Sequence, residues 1–220
     1  MLDPESKVTA PIRRFTTGTL FPENGMTELD AIFPPRPTAL AQQILRGILR
    51  EGDLVIDATA GNGHDTVFLA GCVGAGGKVL AFDVQEAAIT SARANVAQAG
   101  LAARVGFFLE SHTRLDHHAA DDSVAAVMFN LGYLPGENHD LTTETADTLI
   151  ALEAAARLLK PGGALSVICY PGHPAGAVEA VAVEAWLTAQ AGQGWRIAKY
   201  GAIGTRRPAP FLLFGGKPGV

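Results

Sequence analysis

Apolar residues recur along the 220-residue chain in two alternating rhythms. Short apolar runs bounded by polar or glycine turns predict buried strands at 54–57, 78–83, 104–109, 124–130 and 164–170. Between them, apolar positions spaced three and four apart predict helices at 64–72, 86–98, 143–159 and 176–190. An earlier helix over 39–50 carries a stripe of Leu40, Ile44, Leu45 and Ile48, with Thr38 as its N-cap. The 143–159 helix is expected to stop at the turn Lys160-Pro161-Gly162-Gly163. Two strand-like runs, 195–202 and 211–214, follow with no helix between them.

Strands that alternate with helices must run parallel, because each crossover returns the chain to the same edge of the sheet. Two consecutive strands at the end form an antiparallel pair at one side. The expected fold is therefore α/β: a Rossmann-like, seven-stranded, mostly parallel sheet with an antiparallel C-terminal strand and helices on both faces. That combination is the class I methyltransferase architecture rather than a plain dinucleotide fold. Residues 1–36 are rich in Pro, Gly, Thr and charge without a sustained period, and read as an N-terminal arm before a single domain at 37–220.

The 48% hydrophobic content suits a soluble globular domain, and a formal charge of −5 provides no global basic field for nucleic acid. An RNA substrate must then be held by a local patch or by shape. Cys72 and Cys169 have no CxxC or His-rich surroundings, which predicts free thiols and no metal site. The adjacent His117 and His118 splay apart and read as solvated. No apolar run of about 18 residues and no signal-peptide pattern is present, so the expected location is the cytoplasm, away from membranes. A homodimer is compatible with the sequence.

The stretch Asp57-Ala58-Thr59-Ala60-Gly61-Asn62-Gly63-His64-Asp65 carries the chemistry. A strand delivers Asp57 to the carboxyl edge of the sheet, and Gly61 and Gly63 let the backbone turn tightly and approach a ligand. The helix that follows begins with unsatisfied N–H groups. Asp83 ends the next strand 20 residues after Gly63, where a carboxylate can accept both hydroxyls of an adenosine ribose. Gln85 follows it, and Glu110-Ser111-His112 ends the third strand where an adenine edge is expected. A nicotinamide-dinucleotide fingerprint is disfavoured, since Thr66 stands at its third glycine, and no phosphate-cradling lysine suggests a P-loop. The candidate cofactor-binding residues are Asp57, Thr59, Gly61, Asn62, Gly63, Asp65, Asp83, Gln85, Ser111, His112 and Asn130, and the expected cofactor is S-adenosyl-L-methionine, released as S-adenosyl-L-homocysteine (SAH).

The fourth strand ends in Asn130-Leu131-Gly132-Tyr133-Leu134-Pro135-Gly136, beside the transferred methyl in this fold. An amine nucleophile needs its lone pair aimed at the sulfonium carbon; a carboxamide oxygen can fix its N–H groups while an aromatic face shields the site. Asn130 and Tyr133 are the candidates. His173, in Tyr170-Pro171-Gly172-His173-Pro174-Ala175-Gly176, is a further catalytic candidate as proton acceptor or phosphate contact.

Together DATAGNGHDT at 57–66, FDVQ at 82–85, SH at 111–112, MFNLGYLPG at 128–136 and YPGHPAG at 170–176 resemble the YtqB/MnmM family. The resemblance spans nearly the whole domain and implies a class I methyltransferase acting on tRNA. In that family the aminomethyl nitrogen of 5-aminomethyl-2-thiouridine at wobble position 34 receives the methyl group. It carries Asn62, Asp83, Gln85, Ser111 and His112 over as donor-site residues, and Asn130, Tyr133 and His173 as acceptor-site candidates. The chain departs from the family in its long arm, in Pro208-Ala209-Pro210, and in Ala177-Val178 where a lysine and a polar residue are usual. RNA contacts could then fall to Arg13, Arg14, Arg36, Lys199, Arg206 and Arg207. The competing readings are an rRNA or small-molecule methyltransferase with the same donor site, and a non-catalytic nucleotide-binding module with a blocked acceptor cleft.

Overall fold

Helices and strands follow one another because the apolar spacing switches between helical and extended periods, and the computed structural model describes residues 35–132 and 144–219. The first helix, α1, spans Pro37–Ile48, then come β1 (Leu54–Asp57), α2 (His64–Cys72), β2 (Lys78–Asp83) and α3 (Glu86–Gln98). A 3-10 turn precedes β3 (Val105–Leu109), and a second, His112–His117, leads toward β4 (Val124–Leu131). The remainder is α4 (Thr145–Leu158), β5 (Leu159–Cys169), α5 (Pro174–Ala191), β6 (Arg196–Gly201) and β7 (Phe211–Gly216). The arm, including Arg13 and Arg14, and the segment holding Tyr133 lie outside the described residues.

The seven strands form one sheet in the order β3-β2-β1-β4-β5-β7-β6. Strands β1 to β5 pair in parallel, while β7 is antiparallel to both β5 and β6. Phe82, Phe129, Leu152, Leu158, Leu165 and Val183 belong to a core formed with α4 and α5. Leu45, Val55, Leu69, Val79, Met128 and Ile168 belong to a second core shared with α1 and α2. Removing these side chains from water is the dominant favourable term for such a sheet, at roughly 25 cal/mol per Å² of apolar surface. Among the described residues, no helix is long and apolar enough to cross a membrane.

Three local expectations are corrected. Thr38 is not the N-cap of α1: Arg36 occupies that position without a side-chain hydrogen bond, and Pro37 takes the first turn, where its missing N–H costs nothing. Lys160-Pro161-Gly162-Gly163 does not precede β5 but bulges within it, since Leu159 already pairs with Val124 before pairing resumes at Ala164 and Ala126. Gly162 supplies the left-handed turn at φ +75°, while Lys217 N–H donates to the Gly163 carbonyl at 2.9 Å. His118 is not solvated, for its ring lies 4.1 Å from that of Phe108 and its Nε2 is 3.3 Å from a Glu110 oxygen.

Candidate active site

Strand order reverses between β1 and β4, so the loops leaving their carboxyl ends diverge and open a crevice there. Two hydrogen bonds clamp that point: Ala58 N–H donates to the Met128 carbonyl at 2.9 Å, and Asn130 N–H donates to Thr59 Oγ1 at 2.7 Å. A cavity of about 900 Å³ occupies the crevice. Of the sequence-derived candidates, Thr59, Gly61, Asn62, Asp65, Asp83, Gln85, Ser111, His112, Asn130 and His173 line it. Asp57 and Gly63 lie behind its wall instead.

Gly63 sits at φ +81°, and a Cβ there would lie 2.7 Å from the Ala92 Cα. Its hydrogen atom is thus what lets α2 approach α3. Gly61, at φ +49°, points its N–H at Asp83 Oδ2 over 2.9 Å, and Gln85 N–H donates to the other Asp83 oxygen at 2.9 Å. Two backbone donors therefore fix the plane of that carboxylate, leaving further lone pairs for a ligand. Asn62 turns toward α3, accepting from Ser91 Oγ at 3.0 Å through its side chain and from Asn95 Nδ2 at 2.8 Å through its carbonyl. Asp65 accepts from Gln42 Nε2 at 2.7 Å, so α1 steadies the wall.

Asp57 is buried behind the turn, where it accepts from Thr66 Oγ1 at 2.6 Å and from Thr59 N–H at 3.2 Å. Burial, reinforced by the nearby Asp65 charge, pushes its carboxyl up to about 7. Its work is to hold the turn.

On the far wall, Ser111 Oγ accepts from Thr113 N–H at 3.2 Å and starts the 3-10 turn. His112 is only 8% exposed, its ring sits edge-on to Phe129 at 5.8 Å, and burial holds its pKa below the usual imidazole value. Buried His112 Nε2 and Gln85 Oε1 have no hydrogen-bond partner among the described residues. Burying a polar atom so costs about 1–3 kcal/mol, and both residues line the cavity. A ligand with complementary polar edges would recover that cost.

At the acceptor end the sequence left Tyr170 unassigned. Its ring lies against Gly132, where a Cβ would sit 3.3 Å from two ring carbons. The Asn130 side chain hydrogen-bonds its hydroxyl, while burial and Asp65 push the phenol's pKa up. His173 caps α5: Gly176 N–H donates to its Nδ1 at 3.1 Å. With Nδ1 accepting, the neutral ring carries its proton on Nε2. Glu144 and Asp147, which the sequence does not mark, also line the cavity, as does Arg207, a candidate RNA contact from the sequence. Only tertiary structure brings α4 and the β6–β7 loop to this edge. Arg114 pairs with Glu110 at 3.2 Å, and His118, then Arg114, hold the Glu110 carboxyl below its usual range. No cluster suited to a metal occurs among the described residues.

Residues 79–215 match the family model described as "Putative rRNA methylase". A relative from Arabidopsis thaliana, named tRNA (mnm(5)s(2)U34)-methyltransferase, chloroplastic, is 38% identical over 188 residues, covering 81% of this chain and 68% of its own. The crystal structure of a protein described as a putative rRNA-methylase from Clostridium thermocellum superposes with a TM-score of 0.81 at 33% identity, covering 84% of this chain and all (100%) of that one. A protein from Streptococcus mutans, described as a putative methyltransferase in complex with SAH, gives a TM-score of 0.76 at 32% identity over 84% of this chain and 99% of its own. The crevice at the switch point, its fixed carboxylate and these matches agree: the chain belongs to the rRNA methylase family of S-adenosylmethionine-dependent methyltransferases.

Proposed function

We propose that the protein methylates the aminomethyl nitrogen of 5-aminomethyl-2-thiouridine at wobble position 34 of tRNA. The observation that carries this reading is the 38% identity to the Arabidopsis tRNA (mnm(5)s(2)U34)-methyltransferase over 81% of the chain. The charge of the cleft supports it. Asp65, Asp83, Glu110, Glu144 and Asp147 all line the cavity, and such a field draws in a substrate that arrives as an ammonium ion.

Bound S-adenosylmethionine supplies an electrophilic methyl group on a sulfonium. The chain's own residues fit it: Asp83 would accept the ribose hydroxyls, and the unpartnered Gln85 Oε1 and His112 Nε2 would meet polar edges of the adenosine. Asp65 would hold the α-ammonium, while the glycine turn and Asn62 keep backbone close to the ligand. The substrate ammonium would first release a proton to solvent at the cleft mouth. Asn130 would then accept an N–H of the resulting neutral amine, aiming its freed lone pair at the methyl carbon. The Tyr170 hydroxyl, bonded to the Asn130 side chain, would hold the amide in that rotamer. His173, whose Nδ1 accepts from Gly176 N–H, would border the acceptor from the same cavity wall.

The test is incubation with methyl donor and tRNA bearing 5-aminomethyl-2-thiouridine, followed by nucleoside mass spectrometry. Gain of one methyl on that nucleoside is expected. A folded, donor-binding protein that leaves it unchanged would refute the tRNA assignment. The family description favours a second reading, methylation of rRNA, so a parallel incubation with unmodified ribosomal RNA separates the two. Asn130→Ala is expected to lower kcat by about 100-fold with SAH affinity kept within a few-fold. Equal losses in both would remove Asn130 from the acceptor role.

A further inference from the structure

The loop from β6 to β7, residues 202–210, lies at the edge of the sheet that carries the crevice. This follows from register: β5 ends at Cys169 opposite Phe211, and β6 ends at Gly201 opposite the same residue. Against the loop lies a second hollow of about 460 Å³, lined by Pro171, Ile203, Thr205, Pro208, Ala209 and Phe211 among others. Pro208 borders both this hollow and the main cavity. Ile203 is 96% exposed, an unusual position for a large aliphatic side chain with no packing role.

Positive charge gathers on the loop between the hollow and the cleft, with Lys199 lining the hollow and Arg207 lining the cleft. Arg206 and Arg207 are exposed, and neither pairs with a carboxylate among the described residues. Lys199 lies 4.3 Å over the Phe211 ring while pairing with Glu184 at 2.6 Å. An acidic reaction cleft thus adjoins an apolar hollow with two unpaired guanidiniums beside it. A polyanion bearing flat apolar rings complements that combination, whereas a small cationic acceptor does not.

We propose that this hollow is a second subsite, taking a nucleotide adjacent to the modified one in an RNA substrate. Its base lies against Ile203 and the wall formed by Pro171, Pro208 and Phe211. Arg206 and Arg207 take the neighbouring phosphates. The inference rests on the RNA reading above and adds where the strand continues once the target nucleotide is in the cleft. In a chain of net charge −5, phosphate recognition has to be local, and this loop supplies it.

The test compares wild type with Ile203→Asp and Arg206→Glu, neither of which lines the donor cavity. Binding of a fluorescent tRNA anticodon stem–loop is followed by anisotropy over a salt series, tRNA kinetics are measured, and SAH binding is measured by calorimetry. Each variant is expected to weaken RNA binding roughly ten-fold and to raise KM for tRNA with kcat retained. Arg206→Glu is also expected to lower the salt slope by about one. SAH affinity stays at the wild-type value. Variants that bind and methylate tRNA like wild type would overturn the subsite alone. A parallel fall in SAH affinity would overturn it too, by showing the loop to be a structural wall of the donor site. A wild-type protein that binds SAH but no tRNA would instead refute the tRNA assignment, and the subsite with it.

Discussion

Replacing Gly63 by alanine isolates what holds the cofactor turn in place. Alanine meets two penalties at this position. Its φ of +81° is left-handed, which costs an L-residue about 1–2 kcal/mol. The new Cβ would also lie 2.7 Å from the Ala92 Cα and 2.9 Å from its Cβ. Those atoms belong to helix α3 and cannot swing aside, so relief requires moving α2, an overpacking cost of about 1–3 kcal/mol. The lower entropy of the unfolded alanine chain returns roughly 0.5–1 kcal/mol. A net loss of about 2–4 kcal/mol follows, equivalent to roughly 5–15 °C in Tm for a chain of this size. Urea unfolding with and without SAH measures it. Gly100→Ala is the control, because Gly100 has φ +72° with open space around it and suffers only the conformational penalty, about 1 kcal/mol. Displacement of α2 also turns the Gly61 N–H from Asp83, so SAH affinity is expected to fall about ten-fold, equivalent to the loss of one charge-assisted hydrogen bond. Equal stability losses in the two variants would show that contact with α3 contributes nothing.

Asp57→Asn tests the buried carboxyl behind the turn. Its pKa is raised from 3.8 to about 7 in the folded protein, so the native state holds a proton that the unfolded chain releases, and wild-type stability falls as pH rises from about 4 through about 7. The amide variant lacks that titration and is expected to gain on wild type across that window, which urea unfolding at several pH values reads directly. A stability difference that does not change with pH would refute the assignment. Tyr170→Phe removes the hydroxyl bonded to Asn130 and is expected to lower kcat about 2- to 10-fold, the worth of one neutral hydrogen bond, with SAH affinity unchanged. A matching loss of SAH affinity would show that the hydroxyl supports the donor site rather than the acceptor amide. Gly132→Ala puts a methyl 3.3 Å from the Tyr170 ring, so its kcat is expected to fall at least as far as that of Tyr170→Phe. A wild-type kcat in Gly132→Ala would mean that the ring position is not set by this contact.

The sheet was legible because strands buried on both faces read as short continuous apolar runs between polar or glycine turns. Thr59, Gly61, Asn62 and Asp83 were legible as lining a crevice because they follow strands at a recognisable spacing, whereas the sequence does not show that Asp57 and Gly63 stand behind its wall. What stayed hidden depends on distant segments meeting. Asp147 reaches the cavity from α4 with no local pattern to mark it, and Arg207, legible only as a candidate RNA contact, reaches it from the β6–β7 loop. Tyr170 stood inside a motif already singled out, yet its meeting with Gly132 and Asn130 is a contact between β5 and the end of β4. His118 read as solvated because its shelter comes from Phe108 and Phe82. The turn at 160–163 signalled a break in helix α4 and did so, but the sequence does not reveal that pairing begins before it.

Strand β7 follows β6 in the chain and yet lies between β5 and β6. On the ribosome, β6 is therefore made before β7, the one strand it pairs with among the described residues, and it must wait beside an incomplete sheet. Insertion of residues 211–216 completes two antiparallel ladders at once and pins the 202–210 loop beside the cleft. Nascent chains stalled before Phe211 would expose the edge of β5, and the wall containing Arg207 and Pro208 would have no anchor. Synthesis order thus makes completion of the catalytic crevice wait for β7, whatever the state of the strands made before it.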